Sequence, residues 1–470
     1  MAGTLSGDLA VRGGIVVDRV AARRLDVLIS DGQVVALLPP GGEYSAKQVI
    51  DANGRYVLPG IVDAHHHPVY SDRIGTLSVS AALGGTTTVV GFVGALKAWG
   101  GSGTLVDAVK SFVEEGEAAS VIDFSAHGSL VCDDLETLDE SIPQLVDMGV
   151  TSFKGFMAYA KRGMKLEDAE LLRAMEIIGS NGGLFAVHAE NGALLDHLQD
   201  GFIKGGNISP KNWAPSAPNL AEAEAVLRAA TLAWAVRCPL YLVHLSARQT
   251  LDIVRLWRMW EEWPLFTETC PHFLTLTNAD LLAQGSLGKV GPPLREQPDV
   301  EALWRGVADG TIDVVATDFA GHTVERKEPI WDNVFAAPAG LPGIGNLLAI
   351  VHDAGVNLGR ITMPKLVEVL CERPARIFGM YPRKGTLLPG SDADLVVFDP
   401  AQLHTIRAAD QRLQTNYSMW EGRECLGYPT LVVQRGRVIV EDGELKGSPG
   451  QGQFIPRHRQ PVPQEKGVVT

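Results

Sequence analysis

The chain has 470 residues, 46% hydrophobic and 20% charged, near the averages of soluble globular proteins, which excludes a fibre, a disulfide-rich miniprotein and a largely disordered chain. Its 41 lysines and arginines against 55 aspartates and glutamates leave a net charge of −14 with no long basic block, which argues against nucleic acid or anionic membrane as a partner. Five scattered cysteines (Cys132, Cys238, Cys270, Cys371 and Cys425) form no CxxC pair and read as reduced thiols. With neither a basic-then-apolar leader nor a long apolar run, a soluble cytoplasmic protein is expected.

Residues 1–57 hold short β-type runs (LAVRGGIVVD, LDVLISDGQVVALLP, QVIDANGRYVLPG) broken by turn residues, and they predict a few antiparallel strands. Over 58–382 the texture changes to apolar runs alternating with helix-like stretches such as LEDAELLRAMEIIGSNG, the pattern of parallel βα units. Eight strands are proposed there: GIVDAHHH, TTTVVGFV, VIDFSAHG, TSFKGFMAY, GLFAVHAEN, PLYLVHLSA, PLFTETCPHF and IDVVATDFA. Eight βα repeats point to an α/β fold with a closed (β/α)8 barrel, and no GxGxxG turn supports the doubly wound alternative. Residues 383–446 return to β-type runs (GSDADLVVFD, TLVVQRGRVIVEDGE) that can pair with the N-terminal ones in one small domain, while 447–470, rich in Pro, Gly and Gln, read as an extended tail.

Metal-type side chains end several apolar runs, where barrel enzymes place their catalytic groups. On the first strand the period-two alternation puts Asp63, His65 and His67 on one face and Val62, Ala64 and His66 on the other, so His65 and His67 form the preferred pair. Two imidazoles at one strand end are half of a zinc site. Lys154, His188, His244 and Asp318 end four further runs. A lone strand-end histidine is more often structural than a ligand, but five of the eight strands share the pattern. An ammonium among such groups would repel a cation and is costly to bury unpaired, so something must neutralise Lys154.

These motifs, with GGTTTVV, VGPPLRE, RPARIFGM, GSDADLVVFDP and YSMWEGR, resemble the cyclic amidohydrolases of the amidohydrolase superfamily, the branch of hydantoinase, dihydropyrimidinase, allantoinase and dihydroorotase, over nearly the whole length. The resemblance implies a distorted TIM-type barrel beside a small β-sandwich built from the N- and C-terminal segments. It also implies two zinc ions per subunit, bridged by a hydroxide and by Lys154 carboxylated on its amine, with His65, His67 and Asp318 on one metal and His188 and His244 on the other. Zinc lowers the pKa of bound water toward 7. Asp318 would also shuttle the proton to the leaving nitrogen. Tyr159 matches the tyrosine that stabilises the oxyanion, provided the chain is already turning five residues after Lys154.

Gly291 of VGPPLRE and His322 of DFAGH are read as substrate contacts. His272 has either a substrate-side or a structural role, and Arg295 is read as a structural ion-pair former. Hydantoinases commonly carry serine where Gly291 stands. No arginine closely follows the HxH pair, which disfavours dihydroorotate, and LPGIGN and TDFAGH depart from the dihydropyrimidinase pattern. The expected activity is zinc-dependent opening of a cyclic amide or ureide of hydantoinase or dihydropyrimidinase type. Allantoinase, a metal-free scaffold relative and an open-chain amidase or deaminase are the rivals. By resemblance a small cyclic amide is the partner molecule, and a homo-oligomer, commonly a tetramer, is expected.

Overall fold

The computed structural model describes residues 5–96, 103–260, 262–328 and 331–460. The N-terminal runs form β1 (Leu5–Arg12), β2 (Ile15–Val17), β3 (Ala22–Arg24), β4 (Asp26–Ser30), β5 (Gln33–Leu38), β6 (Tyr44–Asp51) and β7 (Tyr56–Pro59). Each predicted barrel segment contains a strand: β8 (Ile61–His66), β9 (Thr86–Val93), β10 (Asp123–Ser129), β11 (Ser152–Phe156), β12 (Leu184–His188), β13 (Leu240–Leu242), β14 (Leu265–Thr269) and β15 (Val314–Val315). The C-terminal runs form β16 (Leu395–Thr405), β17 (Glu424–Gln434), β18 (Arg437–Glu441) and β19 (Glu444–Leu445).

β8 to β15 lie side by side in chain order as one parallel sheet, and their runs are apolar because helices cover one face and the barrel interior the other. The ring is closed by side chains as well as backbone. Thr317 donates its N–H and hydroxyl to the Asp63 carboxylate at 3.0 and 2.6 Å, and the His67 N–H reaches the Phe319 carbonyl at 2.8 Å. Val62, Ala64, Val90, Phe92, Ala186 and Val314 pack together inside the barrel, while Ile61, Val89, Val187 and Val315 belong to the larger core beneath the helices.

That division corrects the alternation expected for β8. Val62 and Ala64 point inward, and Asp63 points outward to Thr317. Between Asp63 and His66, three steps on β8 match two on β9, because Asp63 pairs with Val89 and His66 with Gly91. This bulge re-aims the chain so that His65 follows Ala64 into the interior. His66 does face away, packed against Gly91, where an added Cβ would lie 2.7 Å from its ring.

The two chain ends share a seven-stranded sheet, ordered β19-β18-β17-β16-β7-β2-β3, and β5-β4-β1-β6 form a four-stranded sheet beside it. Not every N-terminal pair is antiparallel as expected: β1 with β6 and β2 with β7 run parallel, since other strands intervene and the chain re-enters in the same direction. From Lys446 to Gln460 the chain is extended and lies on the barrel. Phe124 and Gln453 bond backbone to backbone at 3.0 Å, and Ile455 is buried in the interior cluster. Lys384 ties these parts together, its ammonium 2.5 Å from Asp123 on β10, 2.9 Å from Asp392 and 2.7 Å from Asp394 beside β16. No helix among the described residues is long and apolar enough to cross a membrane.

Candidate active site

Six of the strand-end residues singled out from the sequence gather at one mouth of the barrel. His65 Nε2 and His67 Nε2 lie 3.0 and 3.2 Å from Asp318 Oδ1, so three donor atoms converge on one point. His188 Nδ1 and His244 Nε2 face each other at 3.0 Å. The Lys154 ammonium stands 3.2 Å from His65 Nε2, over the Phe92 ring at 4.3 Å, with no carboxylate in contact among the described residues. His244 and Asp318 have positive φ, 42° and 48°, at the ends of β13 and β15. Such strained backbone is kept where the fold over-determines it, and here it turns both side chains toward the mouth.

Burial favours the neutral form at His67, His244 and Lys154, while at His65 its effect is outweighed by Glu268 and Asp318, which raise that ring. Burial lowers His67 to about 4 and His244 well below the ordinary imidazole value. Asp318 resists the upward pull of its burial, and contacts with His65 and His67 hold it well below the usual carboxylate range. Burial brings Lys154 down to about 8, so its neutral amine, the form that CO2 carboxylates, is accessible. Four imidazoles, a carboxylate and a neutralisable lysine, all buried, fit a metal pair.

A further layer was not singled out from the sequence. Glu268, buried at the end of β14, lies 2.6 Å from His65 Nδ1, accepts the His244 N–H at 3.0 Å and accepts the Tyr241 hydroxyl at 2.8 Å. Glu190 lies 2.8 Å from His188 Nε2. Each fixes which ring nitrogen faces the mouth, as carboxylates do behind metal-binding histidines. The signal was present in ETCPH and AVHAEN, since a carboxylate ending an apolar strand is as informative as a histidine. The other converging acidic group, Asp123, Asp392 and Asp394, is filled by Lys384.

Tyr159 stands just beyond β11 with φ 71° and ψ 38°, so the chain has left strand geometry and the ring turns into the mouth, 4.7 Å from the His188 ring centroid. The cavity, about 60 Å3, is lined by Tyr159, Lys154, His188, His244, Asp318 and Gly291 among others. A Cβ at Gly291 would lie 2.7 Å from the Tyr159 hydroxyl, which accounts for the missing side chain there.

His322 does not line this cavity. It packs on Tyr70 at 4.4 Å between centroids and reaches the Ala339 carbonyl at 3.1 Å, and Tyr70 faces the cavity instead. His272 is buried beside Phe273 with its Nε2 unpartnered, and with Cys270 it approaches Asp318. Arg295 donates to Ser246 at 3.0 Å and lies 3.5 Å from buried Glu222, an ion pair away from the mouth. Although none closely follows HxH, an arginine does reach the cavity wall. Arg162 arrives from the turn beyond β11, not from β8.

A parallel barrel carrying histidines, a lysine and an aspartate at one mouth, with a joint N- and C-terminal β sheet, defines an amidohydrolase-type enzyme. Residues 278–439 match the Amidohydrolase family. The chain is 37% identical over 469 residues to a D-hydantoinase of Streptomyces coelicolor, covering 96% of this chain and 98% of that one. It superposes with TM-score 0.91 on a dihydropyrimidinase from Brevibacillus agri (31% identity, 97% and 99% of the two chains), and with 0.90 on an L-hydantoinase from Arthrobacter aurescens (33%, 96% and 100%). The chain belongs to the hydantoinase and dihydropyrimidinase family of cyclic amidohydrolases.

Proposed function

We propose that this enzyme is a zinc-dependent hydrolase that opens the C–N amide bond of a hydantoin- or dihydropyrimidine-type ring. The observation that carries the reading is the convergence of His65, His67, Asp318, His188 and His244 around Lys154, with the Tyr159 ring in the same cavity. His65, His67 and Asp318 would hold one zinc, His188 and His244 the other, and Lys154 both once carboxylated. When bound, the zinc pair supplies an activated water at neutral pH.

The chain's own residues do the rest. Asp318 Oδ1, held between His65 and His67, accepts a proton as the ring carbonyl is attacked and returns it to the leaving ring nitrogen. The Tyr159 hydroxyl donates to the developing oxyanion; burial keeps its pKa well above the ordinary phenol value, so it stays a donor. Gly291 offers backbone alone to the ring and leaves room for that hydroxyl. A homo-oligomer in solution completes the reading.

The test is a panel of hydantoin, 5-substituted hydantoins, dihydrouracil, allantoin and dihydroorotate with the metal-loaded enzyme, following loss of the ring or gain of the carbamoyl product. Hydantoins or dihydrouracil should have the highest kcat/KM. Allantoin or dihydroorotate ranking first by about tenfold or more, a 1.4 kcal/mol difference in transition-state binding, would overturn the ring assignment. Turnover of nothing, with metal bound, would overturn the hydrolase reading.

A further inference from the structure

Beyond the cavity that holds Lys154 and Tyr159 lies a second chamber of about 510 Å3, which shares Tyr159, Arg162 and Ala339 with it. A group projecting past Tyr159, Arg162 and Ala339 from a ring held in the first cavity would enter this chamber. Its charge is opposite to that of the whole molecule. The chain carries −14, yet the chamber is lined by Lys161, Arg162, Lys289 and Arg326 against a single carboxylate, Asp196.

Two of these cations are already engaged. Lys161 lies 2.5 Å from Asp200 and 3.7 Å from Asp196, while Lys289 is buried, donates to the Ala337 carbonyl at 2.5 Å and lies over the Trp213 ring at 4.4 Å. Arg162 and Arg326 have no carboxylate partner among the described residues, whereas Arg228, Arg255, Arg373 and Arg383 each have one. Arg162 reaches the Tyr70 hydroxyl and lies over the Tyr159 ring at 5.6 Å. Both guanidiniums are exposed, so neither is spent on holding the fold. Trp213 and Phe335 supply apolar wall to the same chamber.

On the reading that this enzyme opens a hydantoin-type ring, we propose that the chamber takes a ring substituent ending in a carboxylate, with the carboxylate on Arg162 and Arg326 and its methylene stem against the aromatic wall. A pocket for a purely apolar substituent would not place five charged side chains, four of them cationic residues, in its wall. Two planar guanidiniums beside an aromatic surface match a short acidic side chain, because guanidinium pairs with carboxylate through two parallel hydrogen bonds.

The direct test compares 5-(2-carboxyethyl)hydantoin with 5-(2-carbamoylethyl)hydantoin, which share size and shape and differ in charge, on the metal-loaded enzyme. The carboxylate should have a kcat/KM higher by about tenfold or more, expressed in KM, as expected for hydrogen bonds to a charged group. The advantage should shrink as salt is raised. Arg162→Gln and Arg326→Gln should each lower the ratio several-fold; Arg326 is a surface residue whose replacement leaves the core untouched. Equal or higher kcat/KM for the amide, or a ratio unmoved by both substitutions, with both compounds hydrolysed, would overturn the carboxylate assignment and leave the hydrolase reading standing. Failure to hydrolyse either compound, hydantoin or dihydrouracil would overturn both.

Discussion

Glu268 and His65 are joined by a 2.6 Å contact between carboxylate oxygen and ring Nδ1, with both side chains inaccessible to solvent. The contact leaves His65 Nε2 to face Asp318 and Lys154, and the same oxygen accepts the His244 N–H, so one carboxylate supports both halves of the candidate metal pair. Glu268→Gln should therefore fold normally by circular dichroism and bind zinc about 10- to 100-fold more weakly, the usual cost of losing such a support. Unchanged affinity in a competitive chelator titration would reduce Glu268 to a packing residue.

Tyr159 and Gly291 are coupled through a single hydroxyl. Tyr159→Phe should lower kcat by about 10²–10³-fold while keeping its metal, the range for one lost oxyanion donor. Gly291→Ala should lower kcat too, because the new methyl would lie 2.7 Å from that hydroxyl and displace it. In the Tyr159→Phe background the second change should cost far less, since residues in contact are non-additive. Full additivity in kcat would separate the two residues.

Lys384 is buried among Asp123, Asp392 and Asp394, joining the barrel to the joint β sheet. Lys384→Met would leave three buried carboxylates with Arg435 and Arg383 as their remaining cations. Breaking a buried pair from one side costs about 3–5 kcal/mol. The denaturation midpoint should fall accordingly, with zinc content per chain preserved at low temperature. A midpoint equal to that of the parent would show that the two arginines suffice.

Much of this was legible in the sequence, for identifiable reasons. Barrel strands announce themselves because both faces are buried, so GLFAVHAEN and IDVVATDFA read as apolar runs ending in a polar residue, and His188 and Asp318 stand out for that reason. The face of β8 was not legible, because a one-residue bulge reverses the alternation that pattern reading relies on. Glu268 and Glu190 ended runs of the same kind but act behind the histidines, and only three-dimensional contact distinguishes that role. Arg162 is invisible to spacing arguments, since its approach to the mouth depends on the left-handed turn at Tyr159. The segment through Ile455 reads as a tail by composition, yet backbone bonds to Phe124 hold it to the barrel.

If Lys154 is to hold a pair of metals, elemental analysis of the parent and of Lys154→Ala, set beside their activities, will reveal it. About two zinc ions per chain are expected in the parent, with loss of most metal and activity in the variant and partial recovery of both when short carboxylic acids supply the missing bridging oxygens. Full metal occupancy in Lys154→Ala, or an active parent carrying no metal, would remove Lys154 from the metal site.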